Sequence, residues 1–313
     1  MGLRRPPKSR QIDLSEGRRC RVRILGRNDA AGPPILLLHG WIASAGLNWH
    51  RAFAELSEHH FVVAPDLPGH AGTTPQDGHR RSPLSSKRSR FDIERSADDI
   101  AELLAKLEID QPVIVVGYSL GGMVAQMLWR RYPERVAGLV LGATSAAPVP
   151  VSRGRLPLAG VMHVARGATD ALDRLTHHPR RLAGDLHKNL VAHLPSPLNS
   201  ALNSALREIP SVHWVLEEFT SHHWPTVLDA GRAIAHFDAR EWIGDIDVPT
   251  SVIMTERDTV IPLEQQEAMV AALDSPHVET MDAGHLACVR SDFAKTLLSS
   301  CRAVKRRIAA NLA

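Results

Sequence analysis

Four short segments carry residues whose types and spacing could run nucleophilic acyl chemistry. The first is G-Y-S-L-G at residues 117–121, standing between the apolar run VIVV and the helix-forming run GMVAQMLWRR. A serine at so sharp a strand-to-helix turn has strained backbone angles and a projecting hydroxyl, and small neighbours let strand and helix close on each other. Gly117 and Gly121, with Gly122 behind them, supply that room around Ser119. The turn also sets Ser119 at a helix N-terminus, where the N–H of Leu120 and the helix dipole can stabilise a developing oxyanion.

The other three segments supply what such a serine needs. In MDAGH, a strand pattern ends and Gly284 turns the chain to present His285. Imidazole is the side chain best suited to take a hydroxyl proton near neutral pH and to return it to a leaving group. In SVIMTERD, a strand runs out into Asp258, whose carboxylate can accept the imidazole N–H, fix its tautomer and stabilise the imidazolium. Glu256 is the nearest rival. Asp258 is preferred to an acid after the preceding strand, because that strand ends in Gly142-Ala143-Thr144 with no carboxylate. In ILLLHGW, a buried strand ends at His39-Gly40, and the backbone N–H of Trp41 is placed to be the second oxyanion donor. His39 itself reads as a structural residue that holds the loop. With 17 histidines in the chain, His285 is distinguished by order alone: serine, acid and histidine follow one another, each at the end of a strand pattern.

These residues must be positioned by a sheet. Short apolar runs bounded by Gly, Pro or Asp alternate with longer helical patterns, which predicts a mostly parallel sheet covered by helices. Strands are expected at 35–38, 61–65, 113–116, 136–141, 250–254 and 277–281. Their near-continuous hydrophobicity suits strands buried on both faces, whereas 20–25 alternates and predicts an antiparallel edge strand. Helices are expected at 96–107, behind a serine start, and at 120–131, 264–272 and 291–308. The first eleven residues read as a loose arm, and the polar stretch 76–90 as a mobile loop.

After residue 141 the pattern gives way to roughly a hundred residues rich in Pro, His and Arg, an inserted helical lid. Its histidines, among them His163, His177, His187, His213, His222 and His223, lack metal-ligand spacing, and no metal site is expected. Trp214, Leu216, Phe219 and Trp224 could line an acyl pocket, although aromatic residues at helical spacing more often form core.

The 37 basic residues nearly balance the 34 acidic ones, so charge points to no nucleic-acid partner. Cys20, Cys288 and Cys301 show neither metal nor redox spacing and suit reduced thiols in a cytoplasmic protein. Cys288, near His285, reads as packing. No run approaches the ~20 apolar residues of a membrane span.

With these motifs in place, the chain resembles the α/β-hydrolase superfamily, in particular its esterase-like and haloperoxidase-like branch with a lid after the sixth strand. The resemblance spans roughly residues 18–305. It implies an eight-stranded sheet, with core segments at 18–146 and 241–309 flanking a lid at 147–240. It also implies no cofactor, and attack by Ser119 on an acyl carbon through an acyl-enzyme. Members that open epoxides or cleave carbon–halogen bonds place an aspartate at this turn, so Ser119 argues against both. In PDLPGHAGT, Ala71 replaces the second glycine of a loop usually written Gly-His-Gly. The expected activity is hydrolysis of a carboxylic ester in a small-molecule acyl substrate of small to medium, apolar character. Two other readings stay open: a non-catalytic ligand-binding homologue, and acyl transfer or perhydrolysis through the same acyl-enzyme. Oligomeric state is not encoded in any of these features.

Overall fold

The computed structural model describes residues 6–26, 32–76, 90–149 and 212–311. Eight strands form one sheet: β1 (Arg10–Asp13), β2 (Arg19–Leu25), β3 (Ile35–Leu38), β4 (Val62–Pro65), β5 (Val113–Tyr118), β6 (Val136–Gly142), β7 (Thr250–Thr255) and β8 (His277–Met281). Their order is β1-β2-β4-β3-β5-β6-β7-β8, with β2 antiparallel to both its neighbours and all pairs from β4 to β8 parallel.

The mostly parallel eight-stranded sheet is the expected one, but its edge differs. The alternating strand at 20–25 is antiparallel as expected, yet β1 lies outside it, pairing Arg10 with Val22 and Asp13 with Arg19. The loose arm therefore ends at β1. That strand, RQID, has little hydrophobic signal; it is held by backbone pairing with β2, by Ile12 packed on the core and by a Gln11 bond to the Gly72 carbonyl. Helix α3 (Ile93–Lys106) starts earlier than expected, because Asp92 rather than Ser96 caps it by accepting from the Arg95 N–H. Two short helices, α1 (Ala45–Trp49) and α2 (Phe53–Ser57), follow β3 and were not foreseen; each is too short to show a period.

The central strands read as continuous apolar runs because both faces are covered. In β3, Leu36 and Leu38 join a core with α3 and with α4 (Leu120–Arg131), while Ile35 and Leu37 join a second core with α1, α2 and α8 (Phe293–Asn311). All four are fully buried, each worth roughly 1.5–3 kcal/mol of transfer free energy. Helix α7 (Leu263–Ala272) packs on β7.

Between β6 and β7 in the chain lie α5 (Val212–Thr220) and α6 (Trp224–His236). Residues 150–211, which hold most of the expected lid and its histidines up to His193, fall outside the described part, as do 77–89 of the expected loop at 76–90. Of that loop, Gln76 is buried and bonds both the N–H and the carbonyl of Asp92. Trp214 packs with Val215, Leu47 and Phe219 in a small separate core, and Trp224 lies against the His222 ring. Cys20, Cys288 and Cys301 are buried free thiols, Cys288 in the core beside α8.

Candidate active site

The chain leaves β3 for β4 on one side and then returns to lay β5 on the other. The crevice at the carboxyl ends of β3 and β5 is thus the point where strand order reverses, the place where ligands sit in open α/β sheets. Both Ser119 and Trp41 fall there, one residue beyond β5 and three beyond β3.

Ser119 has φ 52° and ψ −116°, a conformation rare for any residue with a side chain. Three contacts over-determine it. Its N–H donates to the Gly142 carbonyl at 2.9 Å, its carbonyl accepts from the Thr144 hydroxyl at 2.8 Å, and the Gly122 N–H donates to that same carbonyl at 2.9 Å. The glycines are required sterically. A Cβ on Gly117 would come within 2.4 Å of the Gly121 carbonyl oxygen, and one on Gly121 within 2.1 Å of the Leu38 oxygen. The start of α4 is therefore pressed against the end of β3, and a Cβ on Gly40 would touch the Ser119 Cβ at 3.4 Å. Leu120, as the first residue of α4, has an N–H that the helix itself cannot pair.

The structure brings Ser119, His285 and Asp258 into one hydrogen-bonded chain. The Ser119 hydroxyl lies 3.0 Å from His285 Nε2, and His285 Nδ1 lies 2.8 Å from Asp258 Oδ2. A carboxylate can only accept, so Nδ1 carries the proton and Nε2 is left to accept from the serine. Ser119 is 6% exposed, while the side chain of His285 keeps 19% and that of Asp258 none. Asp258 is further bonded by the N–H groups of Val260 and Ile261 and by the Thr255 hydroxyl. Burial raises its pKa, but the adjacent His285 and these donors outweigh that and hold the carboxyl below its usual value. Glu256 points outward and is exposed.

Several supporting residues gave no signal in the sequence. The Tyr118 hydroxyl donates to the His285 carbonyl at 2.7 Å and so fixes the backbone of the histidine loop. Gln266, on α7, bonds the Thr255 N–H and the Ile261 carbonyl and thereby locks the turn that presents Asp258. A Tyr or Gln has no special spacing to these partners along the chain. His39 accepts from the Leu67 N–H at 2.8 Å and ties the loop after β3 to the loop after β4. Ala71, at the position of the missing glycine, is left-handed with φ 45°; its N–H donates to His222 Nδ1 and its carbonyl accepts from Arg21.

His39, His70 and His222 form a buried cluster, with ring centroids 5.0 Å apart for the first pair and 5.4 Å for His70 with His222. Burial lowers the pKa of His39 and His222 to about 4 and that of His70 well below 6.5. Among the described residues no three His, Cys, Asp or Glu side chains gather as a metal site requires, and no helix is long and apolar enough to cross a membrane.

An open, mostly parallel sheet with a strained serine at its switch point, hydrogen-bonded through histidine to aspartate, defines a fold and site class. The chain belongs to the alpha/beta hydrolase fold family, whose model matches residues 33–291. Among similar curated proteins, the pimeloyl-[acyl-carrier protein] methyl ester esterase of Chromobacterium violaceum is 31% identical over 237 residues, covering 74% of this chain and 78% of that one. Among solved structures, a hydrolase from Pseudomonas aeruginosa superposes with TM-score 0.66 at 22% identity, covering 94% of this chain and 98% of that one. The enol-lactonase from Burkholderia xenovorans superposes with TM-score 0.66 at 21% identity, covering 92% and 98%. At such identities the two structures speak for the fold alone.

Proposed function

We propose that the protein is a serine hydrolase that cleaves a carboxylic ester of a small to medium, apolar acyl substrate. The observation that carries this reading is the unbroken chain from Ser119 through His285 to the buried Asp258. In the proposed reaction His285 Nε2 takes the Ser119 proton as Oγ bonds the ester carbonyl carbon, and Asp258 stabilises the imidazolium. The backbone N–H groups of Leu120 and Trp41 receive the oxyanion. The imidazolium then protonates the departing alkoxide, leaving an acyl-enzyme. Water attacks that carbonyl, gives its proton to His285 and releases the acid as Ser119 is restored. The relative named as a methyl ester esterase supports an ester with a small alcohol as the substrate class. Residues 147–240 are read as the lid that shapes the acyl side of the site, and a cytoplasmic location goes with the reduced thiols.

The test is labelling by a fluorophosphonate, compared by intact mass between wild type and Ser119→Ala. A single adduct on wild type alone, followed by turnover of p-nitrophenyl esters, is the expected result. No adduct on folded wild type would overturn the reading in favour of a ligand-binding homologue.

A further inference from the structure

A buried ionic cluster lies beside the loop after β3, and the chemistry outlined above makes no use of it. Arg21 and Arg23 on β2 reach Glu218 on α5, at 2.5 and 2.6 Å to the same carboxylate oxygen. Arg23 also lies 3.2 Å from Asp66, at the exit of β4, and Arg21 lies 3.7 Å from it. Arg23, Asp66 and Glu218 are 2%, 1% and 5% exposed. Two guanidinium groups and two acidic side chains thus meet in a place where an unpaired charge would be costly.

The free ends of both carboxylates point at one short segment. Glu218 Oε2 accepts from the Ser44 hydroxyl at 2.5 Å, and Asp66 Oδ1 accepts from the Ala45 N–H at 2.6 Å. Ser44 caps α1 by accepting from the Leu47 N–H and stands three residues after Trp41. Between them Ile42 is forced to φ 59°, a conformation a β-branched residue holds only under outside constraint. Upstream, the Gly40 N–H is fixed by Asn48 at 2.9 Å. The Trp41 peptide is therefore suspended between two anchors, one in the core and one supplied by α5. Gly46 shows how tightly that anchor fits, since a Cβ there would sit 3.0 Å from both Glu218 and Arg23. The Trp41 indole is held by the Val227 carbonyl of α6, so α5 and α6 grip the same loop.

We propose that Glu218 is a positioning residue for the oxyanion site: clamped by Arg21 and Arg23 and bonded to Ser44, it holds the 40–44 loop so that the Trp41 N–H faces the carbonyl attacked by Ser119. The inference rests on the esterase reading and adds that α5 is needed for chemistry as well as for covering the site. Glu218→Gln keeps the shape and removes the charge that organises the clamp. Ser44→Ala cuts the link from the other side and leaves the ionic cluster whole.

The experiment measures p-nitrophenyl acetate turnover per fluorophosphonate-titrated site, together with inhibition by an aryl trifluoromethyl ketone, which adds Ser119 Oγ to its carbonyl and leaves an oxyanion. Both variants are expected to lose roughly 10- to 100-fold in kcat per site, short of the cost of deleting a donor. KM should stay within about 3-fold, and ketone affinity should fall in step with kcat because only the oxyanion needs the loop. Unchanged kcat per site with unchanged ketone affinity would overturn the proposal, as would a rise in KM alone or fewer titratable sites of normal activity. Should Glu218→Gln fail to fold, Ser44→Ala decides by the same criteria. Failure of wild type to label would sink the esterase reading itself, a result separate from any change confined to the variants.

Discussion

Ser119, His285 and Asp258 are joined by bonds of 3.0 and 2.8 Å, so a substitution at one end can be read at the other. Ser119→Ala is expected to lower kcat on an activated ester by a factor on the order of 10⁶. Asp258→Asn keeps the volume but can donate to His285 Nδ1, so the ring is held in the wrong tautomer and kcat should fall roughly 10⁴-fold. Single-turnover acylation rates on purified variants check both. If Asp258→Asn acylated at the wild-type rate, Asp258 would be only a loop anchor for the Val260 and Ile261 N–H groups.

The turn between β5 and α4 works only because two elements meet without a side chain between them. A Cβ on Gly121 would sit 2.1 Å from the Leu38 carbonyl oxygen, a backbone atom with no way to retreat. Gly121→Ala should therefore displace α4 from β3 and abolish fluorophosphonate labelling of Ser119, even in whatever fraction stays folded by circular dichroism. The loop after β4 offers the opposite change. Ala71 is left-handed at φ 45°, a state that costs a residue with a Cβ about 1–2 kcal/mol. Ala71→Gly relieves this while loosening the unfolded chain, so a net gain of up to about 1 kcal/mol is expected. A urea midpoint that fell instead would mean that the lost burial of the Ala71 methyl and the looser unfolded chain outweigh the relieved strain.

Acid should weaken the molecule as a whole through its buried imidazoles. In the unfolded chain His39, His70 and His222 take up protons below 6.5, whereas in the fold His39 and His222 stay neutral down to about 4 and His70 lower still. Stability bound to these lowered values is present above 6.5 and lost as pH falls toward 4, at up to about 1.4 kcal/mol per unit for each group. Asp66 acts the other way. Burial, against the pull of Arg23, raises it from 3.8 to about 7, so its folded form gains a proton across that window and offsets one histidine. The urea midpoint is therefore expected to be lower at pH 5 than at pH 7, and His222→Asn, whose amide oxygen can still accept from Ala71, should flatten the slope. A midpoint that rises on acidification would show that the cluster is already charged at neutral pH.

Much of this was readable in the chain because it is local. A strand with both faces buried must be apolar throughout, so β3 to β7 announced themselves. A glycine-flanked serine between such a strand and a helix allows little but the strained turn found here, and chain order pointed to His285 and Asp258, which the fold places in one hydrogen-bonded line with Ser119. The edge strand β1 stayed hidden because its pairing with β2 is made by backbone groups that every residue carries. The Arg23, Asp66 and Glu218 cluster was hidden for a different reason. Its members lie 43 and 195 residues apart along the chain, and a charged side chain looks the same in sequence whether water or a buried partner neutralises it. Spacing along one segment can specify a turn, a cap or a buried strand, but which distant charges meet in the interior follows only from how the strands are ordered and the helices laid upon them.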